Sequence, residues 1–416
     1  MNLVKKEIIN KLERLPYGLF EVIKESAIKS NSNRIAFVGG IIRDILLNYY
    51  HKNEINKIHD IDLIIEGDPL ALADKIKMLL EPKVFLKIKA KSKYNTIEIQ
   101  GEDIRIDIAL ARSEEYKSPG YNPITKNSYI EKDLLRRDFT VNSIAFDPIE
   151  EEIIDINNGI NDIKEKRLEL LHNSSIKDDP TRIIRAARYS SRLNLELSTS
   201  SLNQIQRTLD NWPWIIKRQN NKNKFPEAIG TRLRMELELL LNEKNYQLAF
   251  KKMNEWGVIS LFNSDLVIDN KFFRSFLWGE RLGLNKLLIF ISSINSYSEI
   301  IDRLSLSEKN NKIIEEYHKI TKELDNISEK SFSPGELTDY IELNRYNKEA
   351  ILLYISKGNK SWSLLLRWLN RYRKIKSPIT GDNLIEKGWV DGHKIGEEIR
   401  RLRNKKINQF RNKKIS

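Results

Sequence analysis

Two carboxylates, Asp60 and Asp62, stand one residue apart in HDIDLIIEGD (residues 59–68), a stretch whose alternation predicts a β-strand. Side chains repeat every second residue along a strand, so both acids point to one face while Ile61, Leu63 and Ile65 line the other. Two carboxylates about 6–7 Å apart on one rigid face repel each other unless a cation lies between them. Hard oxygen ligands on an open edge suit Mg²⁺ that also holds the phosphates of a nucleotide. Just upstream, IAFVGGIIRDILL (residues 35–47) reads as a strand, a glycine turn and a helix. Gly39 and Gly40, lacking Cβ atoms, let backbone N–H groups approach an anion at that helix N-terminus. Arg43 falls in the first turn, ready for a phosphate oxygen.

Other metal chemistries are excluded by composition. There is no cysteine, hence no disulfide and no thiolate site. The five histidines, His51, His59, His172, His318 and His393, show no zinc-ligand spacing, so a catalytic metal rests on carboxylates and zinc is not expected. Lys plus Arg number 71 against 58 Asp plus Glu, a net charge of +13 that points to a polyanionic partner. At 416 residues the chain suggests two to four domains. No apolar run approaches the roughly 20 residues of a membrane span. The amphipathic start MNLVKKEIINKLERL is unlike a signal peptide, and a soluble, cytoplasmic protein with no membrane partner is expected.

The elements that must position the acids read off in order. Residues 3–29 predict one or two lead-in helices broken near Pro16 and Gly18, and Pro69 starts a helix through Leu80. Three β-rich runs follow, 84–90, 94–101 and 103–112, giving a small mixed sheet with helices on one side. In the last run Asp107 alternates with Ile106 and Ile108; it is either a third carboxylate beside the pair or a face partner of Arg105. Residues 112–132 are polar and aperiodic and read as a long loop, which inside a compact domain is functional or disordered. In DLLRRDFTVNSIAFD (133–147), one of the adjacent Arg136 and Arg137 can face a triphosphate or ribose while the other pairs with Asp138. Asn142 offers a donor and an acceptor to a sugar hydroxyl.

Farther on, GINDIKEKRLELL (159–171) reads as a helix and an extended stretch acting as a hinge. In DDPTRIIRAARYSSRL (178–193), Asp179 reads as an N-cap before Pro180. Arg182, Arg185 and Arg188 form a slanting basic ridge, each displaced about 60° from the last. Arg232 and Glu236 in TRLRMELELLL read as a helix ion pair. From 244 to 376 only helical periodicity appears. Gly381, Gly388, Gly392 and Gly396 suggest tight turns, and the end, RLRNKKINQFRNKKIS, is a basic tail.

The order glycine turn, arginine, DxD on the next strand resembles the polymerase-β-like nucleotidyltransferases. GGIIRD, DIDLIIEGD, RRDFTVNSIA, GINDIKEKRLELL and DDPTR together resemble the class II tRNA nucleotidyltransferases, the CCA-adding enzymes, and their poly(A) polymerase relatives, over residues 33–241 and again over 377–402. The resemblance implies an α+β protein: a polymerase-β-like nucleotidyltransferase domain (1–150), a helical nucleotide-reading neck (151–245), and a helical body and tail that bind tRNA (246–416). It implies template-independent addition of CMP and AMP, from CTP and ATP, to the tRNA 3′ end with release of pyrophosphate. Asp60 and Asp62 would bind two Mg²⁺ ions, with Asp107 a third catalytic acid. Gly39, Gly40, Arg43, Asp44, Arg136, Arg137, Asp138, Asn142, Asp179, Arg182, Arg185 and Arg188 would bind the nucleotide.

Asp179 and Arg182 would read the base in place of a template strand. A carboxylate accepts from the exocyclic amine of cytosine or adenine, and a guanidinium donates to a ring nitrogen. Guanine and uracil present oxygen there and leave the carboxylate unpaired, so such a site rejects them. Position 178 is Asp where the family more often has Glu, and Thr231 replaces a Glu of a weaker motif. Ala111, Arg112, Glu114, Tyr116, Pro119, Gly120 and Pro123 look like a mobile loop that accompanies nucleotide choice, and its full length argues against an enzyme adding only the two cytidines. The alternatives are an enzyme adding only A, one adding only CC, a poly(A) polymerase or, from another class, a non-catalytic RNA-binding protein with a relic nucleotide domain.

Overall fold

The computed structural model describes residues 2–30, 32–52, 60–81, 84–91, 95–118, 120–211, 227–263, 266–326 and 332–410. His59, Pro119 and the last residues of the basic tail, 411–416, lie outside these. The chain forms two compact units, one of residues 1–236 with 243–258, the other of 237–242 with 259–416.

In the first unit, helices α1 (Asn2–Leu12) and α2 (Leu19–Lys29) lead into β1 (Arg34–Val38), α3 (Gly40–His51), β2 (Asp60–Glu66) and α4 (Pro69–Leu80). Asp68 caps α4 by accepting from Leu70 N at 2.9 Å, with Pro69 where a missing N–H costs nothing. Strands β3 (Lys87–Lys91), β4 (Thr96–Gln100) and β5 (Arg105–Leu110) follow. Residues 112–132 do not remain loop throughout: β6 (Arg112–Glu115) and β7 (Ile124–Asn127) pair antiparallel before α5 (Ile130–Leu135). Polar side chains on both faces gave that hairpin no alternation to read.

Two three-residue strands, β8 (Ala145–Asp147) and β9 (Glu152–Ile154), also escaped the pattern, being too short to show a period. With them the sheet has seven strands in the order β3-β4-β5-β2-β1-β8-β9, mixed because β2 and β5 run parallel. Helices cover both faces rather than one. Phe37 meets Phe20 of α2 with ring centroids 5.9 Å apart, while Ala36, Val38, Ile64 and Ala145, on the opposite face, pack on Ile130 and Leu134 of α5. By the period of two, this second face is also that of Asp60 and Asp62.

The unit continues through α6 (Gly159–Lys164), β10 (Arg167–Leu168), α7 (Ser175–Asp178), α8 (Arg182–Leu193), β11 (Glu196–Leu197), α9 (Thr199–Asn211), the first part of α10 (Glu227–Asn242) and α11 (Tyr246–Glu255). The expected boundary at residue 150 falls inside this unit. The second unit is helical among its described residues: α12 (Asn270–Arg281), α13 (Lys286–Ile291), α14 (Tyr297–Arg303), α15 (Glu308–Asn326), α16 (Pro334–Asn344), α17 (Lys348–Ser356), α18 (Trp362–Asn370), α19 (Gly381–Glu386) and α20 (Gly392–Phe410). Phe262, Phe272, Phe276 and Phe290 interlock in its core. Gly388 turns with φ +88°, but Gly381 and Gly392 open helices and Gly396 lies within α20. No described helix is long and apolar enough to cross a membrane.

Candidate active site

Asp62 pairs in register with Val38 on one side and Asp107 on the other, so β2 and β5 present their acids side by side. Adjacent strands lie about 5 Å apart, which brings Asp107 to the DxD edge. Arg105 also reaches Asp107, Nη2 to Oδ2 at 3.1 Å, the face partnership that was one of its two sequence readings. Asp62 is exposed, yet the desolvation it suffers there, with Asp107 and Asp60 nearby, raises its carboxyl pKa despite Arg137. A carboxylate pushed toward its neutral form by desolvation and, secondarily, by neighbouring acids is one that a cation would relieve. The three acids do not by themselves form a closed ligand set. They leave an open, all-oxygen edge of the kind Mg²⁺ uses while keeping water and phosphate ligands.

The glycine turn adjoins that edge. Gly39 has φ +74°, a left-handed conformation that favours glycine, and a Cβ there would stand 3.2 Å from Asp62 Oδ2 and 3.7 Å from Arg137 Nη1. The missing atom leaves a cradle between the acid, the arginine and the start of α3. Arg43 is not poised for a phosphate as expected. It is buried, with Nε on Asp44 Oδ1 at 2.7 Å and Nη1 on Asn142 Oδ1 at 2.6 Å. Asn142 in turn donates to Asp138 Oδ1 at 2.9 Å, so its amide bridges two charged groups rather than facing a sugar.

The arginine pair differs from expectation in its partner. Both guanidiniums hold Asp133, Arg136 through Nε and Nη2 and Arg137 through Nη2 at 3.0 Å, and Arg136 Nη1 also reaches Glu114 at 2.9 Å. Asp133 is fully buried; burial opposes its charge, but Arg137 and Arg136 outweigh it and lower its pKa. Asp138 pairs instead with Arg185, Nε to Oδ2 at 2.8 Å. Burial would raise its pKa, yet Arg185, Asn142 and Arg182 hold it down to about 2. Arg137 Nε is buried without a partner among the described residues, so this side chain, beside Asp62, keeps a donor in reserve.

Helix α8 begins at Arg182, two residues later than a cap at Asp179 would place it. Asp179 forms the turn before it: Oδ1 accepts from Thr181 N at 3.1 Å and Oγ1 at 2.7 Å, while Oδ2 takes Arg232 Nη1 at 3.2 Å. Its two oxygens are thus divided between turn and ion pair. Arg182 is buried and donates to Ser175 Oγ and to the Arg136 carbonyl at 2.8 Å, tying the RRD segment to α8. The basic ridge is held by internal partners. Arg185 and Arg188 share Glu236 at 2.6 and 3.2 Å, and Arg188 also approaches Glu243 at 3.4 Å. Arg232 and Glu236 therefore reach α8 and the turn before it, beyond any pairing within their own helix.

Arg136, Arg137, Asp138, Asp179, Arg182 and Arg232 line one cavity of about 400 Å³, with Tyr116 and Glu114 from the hairpin side. Arg232 Nη2 also holds the Gly120 carbonyl at 2.8 Å, joining the β6–β7 connection to Asp179. Asp133, Glu114, Arg232 and Glu236 were not singled out as site residues. Glu114 fell within the loop that resembles the family's and Arg232 and Glu236 were read as a helix ion pair, whereas Asp133 showed no signal beyond its charge. Tyr189, also missed, has the guanidiniums of Arg43, Arg185, Arg188 and Arg192 5.0–5.4 Å from its ring centre.

An acidic sheet edge, a glycine cradle and an arginine-lined cavity lie together in the first unit, beside its mixed sheet. Residues 35–169 match the poly A polymerase head domain. An A-adding tRNA nucleotidyltransferase of Aquifex aeolicus is 25% identical over 91% of this chain, and one of Halalkalibacterium halodurans 27% over 89%. The match takes in 83% of the Halalkalibacterium protein but 45% of the Aquifex one, so the chain spans about half the length of the latter, and 24% of a Geobacter sulfurreducens protein of the same name. A solved CCA-adding enzyme, apo form II, superposes with a TM-score of 0.75 at 27% identity, covering 97% of this chain and 95% of that one. Residues 35–169 thus match a poly A polymerase head domain, and the chain as a whole is similar to tRNA nucleotidyltransferases.

Proposed function

We propose that this chain is a template-independent tRNA nucleotidyltransferase that adds CMP and AMP, from CTP and ATP, to the tRNA 3′ end and releases pyrophosphate. The observation that carries this reading is the convergence, within one unit, of the Asp60, Asp62 and Asp107 edge, the Gly39 cradle and the Asp179–Arg182 cavity. Asp60 and Asp62 would hold Mg²⁺, which when bound supplies a lowered 3′-hydroxyl pKa and neutralises the triphosphate. Arg137 stands where the triphosphate would meet the glycine turn and donates to it. Arg136, held by the buried Asp133, and Arg43, held by Asp44 and Asn142, position that arginine and the start of α3. Asp179 and Arg182 select the base, and Asp138, Arg185 and Arg188 stiffen the helix that carries them. The enzyme works in the cytoplasm, and the helical segment from 246 onward holds the tRNA backbone, reading shape more than sequence.

Relatives named A-adding, CC-adding and CCA-adding all match the chain, and solved CCA-adding enzymes include complexes with CTP and with ATP. Because the relatives matched over most of this chain carry the A-adding name, an enzyme that adds only the terminal adenosine is the second reading. Purified protein should be given tRNAs ending before CCA, after C and after CC, with labelled CTP or ATP singly. Incorporation of C into the first two supports CCA addition. Incorporation of A into the CC-ending tRNA alone selects the second reading, and no incorporation on any substrate sinks both.

A further inference from the structure

The second unit holds a larger cavity, about 860 Å³, between α14, α15 and α16, for which the proposed chemistry has no use. Its wall is unusually aromatic. Tyr297 and His318 stack with centroids 4.0 Å apart and planes 10° apart, and Phe332 leans on Tyr340 at 5.8 Å. All four rings are only partly buried, so part of their surface remains open. Tyr340 donates its hydroxyl to Glu323, and the Tyr346 hydroxyl reaches the same carboxylate, which fixes the ring and occupies that charge. Two exposed lysines and the exposed Glu315 complete the lining, Lys319 with its ammonium 5.5 Å from the Tyr346 ring, and Lys322.

Planar rings flanked by flexible cations match one chemistry: a flat heterocycle stacks on the rings while its phosphate meets the ammonium groups. His318 fits the stacking part. Burial, with Lys357 nearby, lowers its pKa to about 4, so at neutral pH it presents an uncharged ring, and its Nε2 is buried without a partner among the described residues. The size falls within the range of small-ligand sites. We propose that this cavity takes a single unstacked nucleotide, base on the Tyr297 and Phe332 side and phosphate on Lys319 and Lys322. Its source is either an unpaired residue of the bound RNA, which rests on the function proposed above, or a free nucleoside monophosphate.

The full-length protein, in chelator and without triphosphates, is titrated with 2-aminopurine riboside monophosphate and, separately, with fluorescein-labelled tRNA lacking its 3′ CCA. Quenching of the free probe and tRNA affinity are compared for the native chain, Tyr297→Ala with Phe332→Ala, Lys319→Ala with Lys322→Ala, and Tyr297→Phe. One stacked base is worth roughly 5- to 150-fold in affinity. Loss of that order for tRNA alone in the aromatic double variant assigns an RNA residue to the cavity; loss for the probe alone assigns a free nucleotide. The lysine pair should lessen the salt dependence of binding by about two counter-ions at most, and Tyr297→Phe should bind like the native chain. Aromatic and lysine variants that keep native far-UV dichroism and bind both ligands within twofold of the native chain overturn the proposal. Because no catalysis is read, an inactive enzyme defeats the proposed function and leaves this test intact.

Discussion

Gly39 and Asp62 sit so close that a single methyl group on the glycine would stand 3.2 Å from the carboxylate Oδ2. The turn that opens α3 and the acid edge of β2 therefore form one surface, although 23 positions separate the two residues (62 − 39). Gly39→Ala would add strain at φ +74° and fill the cradle. It should lower nucleotide incorporation at least tenfold while moving the thermal midpoint by only a few degrees. A collapse of the fold with no selective loss of rate would show that the turn serves stability alone.

Asp62, proposed above to hold magnesium, has a carboxyl pKa raised by desolvation and by the neighbouring Asp107 and Asp60 against Arg137. Its raised pKa means that folding disfavours its charge, so in metal-free buffer this group subtracts stability above its folded pKa. That penalty is relieved as pH falls through the folded pKa toward the ordinary carboxylate value. Asp62→Asn should therefore raise the midpoint in chelator at neutral pH, with the gain vanishing on acidification, and reduce incorporation about 100-fold or more. Calorimetry at two pH values checks the first part. A variant less stable than the native chain at neutral pH would refute it.

Asp138 has the opposite sign. Its folded pKa of about 2 lies below the ordinary value, so its stabilisation is complete above roughly pH 4 and is lost as pH falls toward 2. At neutral pH, Asp138→Asn leaves the partly buried Arg185 with Glu236 but without the Asp138 carboxylate, and should cost about 1.5–3 kcal/mol, the worth of a charge-assisted hydrogen bond. The variant's acid unfolding limb should also be shallower, as read by urea midpoints between pH 5 and 2.5. Equal limbs would place the charge elsewhere.

Arg232 joins Asp179 to the Gly120 carbonyl with a fork that lysine cannot copy. Arg232→Ala should relax discrimination of ATP and CTP against GTP and UTP by roughly tenfold, a charge-assisted hydrogen bond being worth about 1.5–3 kcal/mol. Arg232→Lys should fall between. Unchanged selectivity ratios with a uniform loss of rate would make Arg232 a scaffold residue only.

In the second unit, Lys357 is a buried ammonium whose pKa burial, aided by Lys271, lowers to about 7; it donates to Ile289 O at 2.7 Å. A lysine that is harder to protonate when folded makes stability rise with pH from about 7 to about 10, where the unfolded chain also loses its proton. Lys357→Met should flatten denaturation midpoints over that range and raise them at pH 6. Unaltered slopes would mean that the ammonium is solvated.

Periodicity makes short, strongly patterned stretches legible. Asp60 and Asp62 could be placed on one strand face because the pattern is local, and α4 was bounded at Pro69 and Leu80 by an Asp-Pro start. Partners distant in the chain were not legible. Arg43 meets Asn142 99 positions away, Arg182 meets the Arg136 carbonyl across 46, and Arg232 meets Asp179 across 53. A buried acid such as Asp133 looks in sequence like any helical carboxylate until two guanidiniums close on it.

By itself the sequence determined which chemistry was available: carboxylates without thiolates or paired imidazoles, glycines before a helix, and arginines at helical spacing. Only the tertiary structure decided which charges remain to be used. Arg43 is committed to Asp44 and Asn142 and Arg185 and Arg188 to Glu236, whereas the Asp62 edge and Arg137, whose Nε has no partner among the described residues, adjoin the glycine cradle. The physical reason is desolvation: a buried charge must find a counter-charge or hydrogen bond, and which one it finds depends on strand register and helix packing, which residue types alone do not encode.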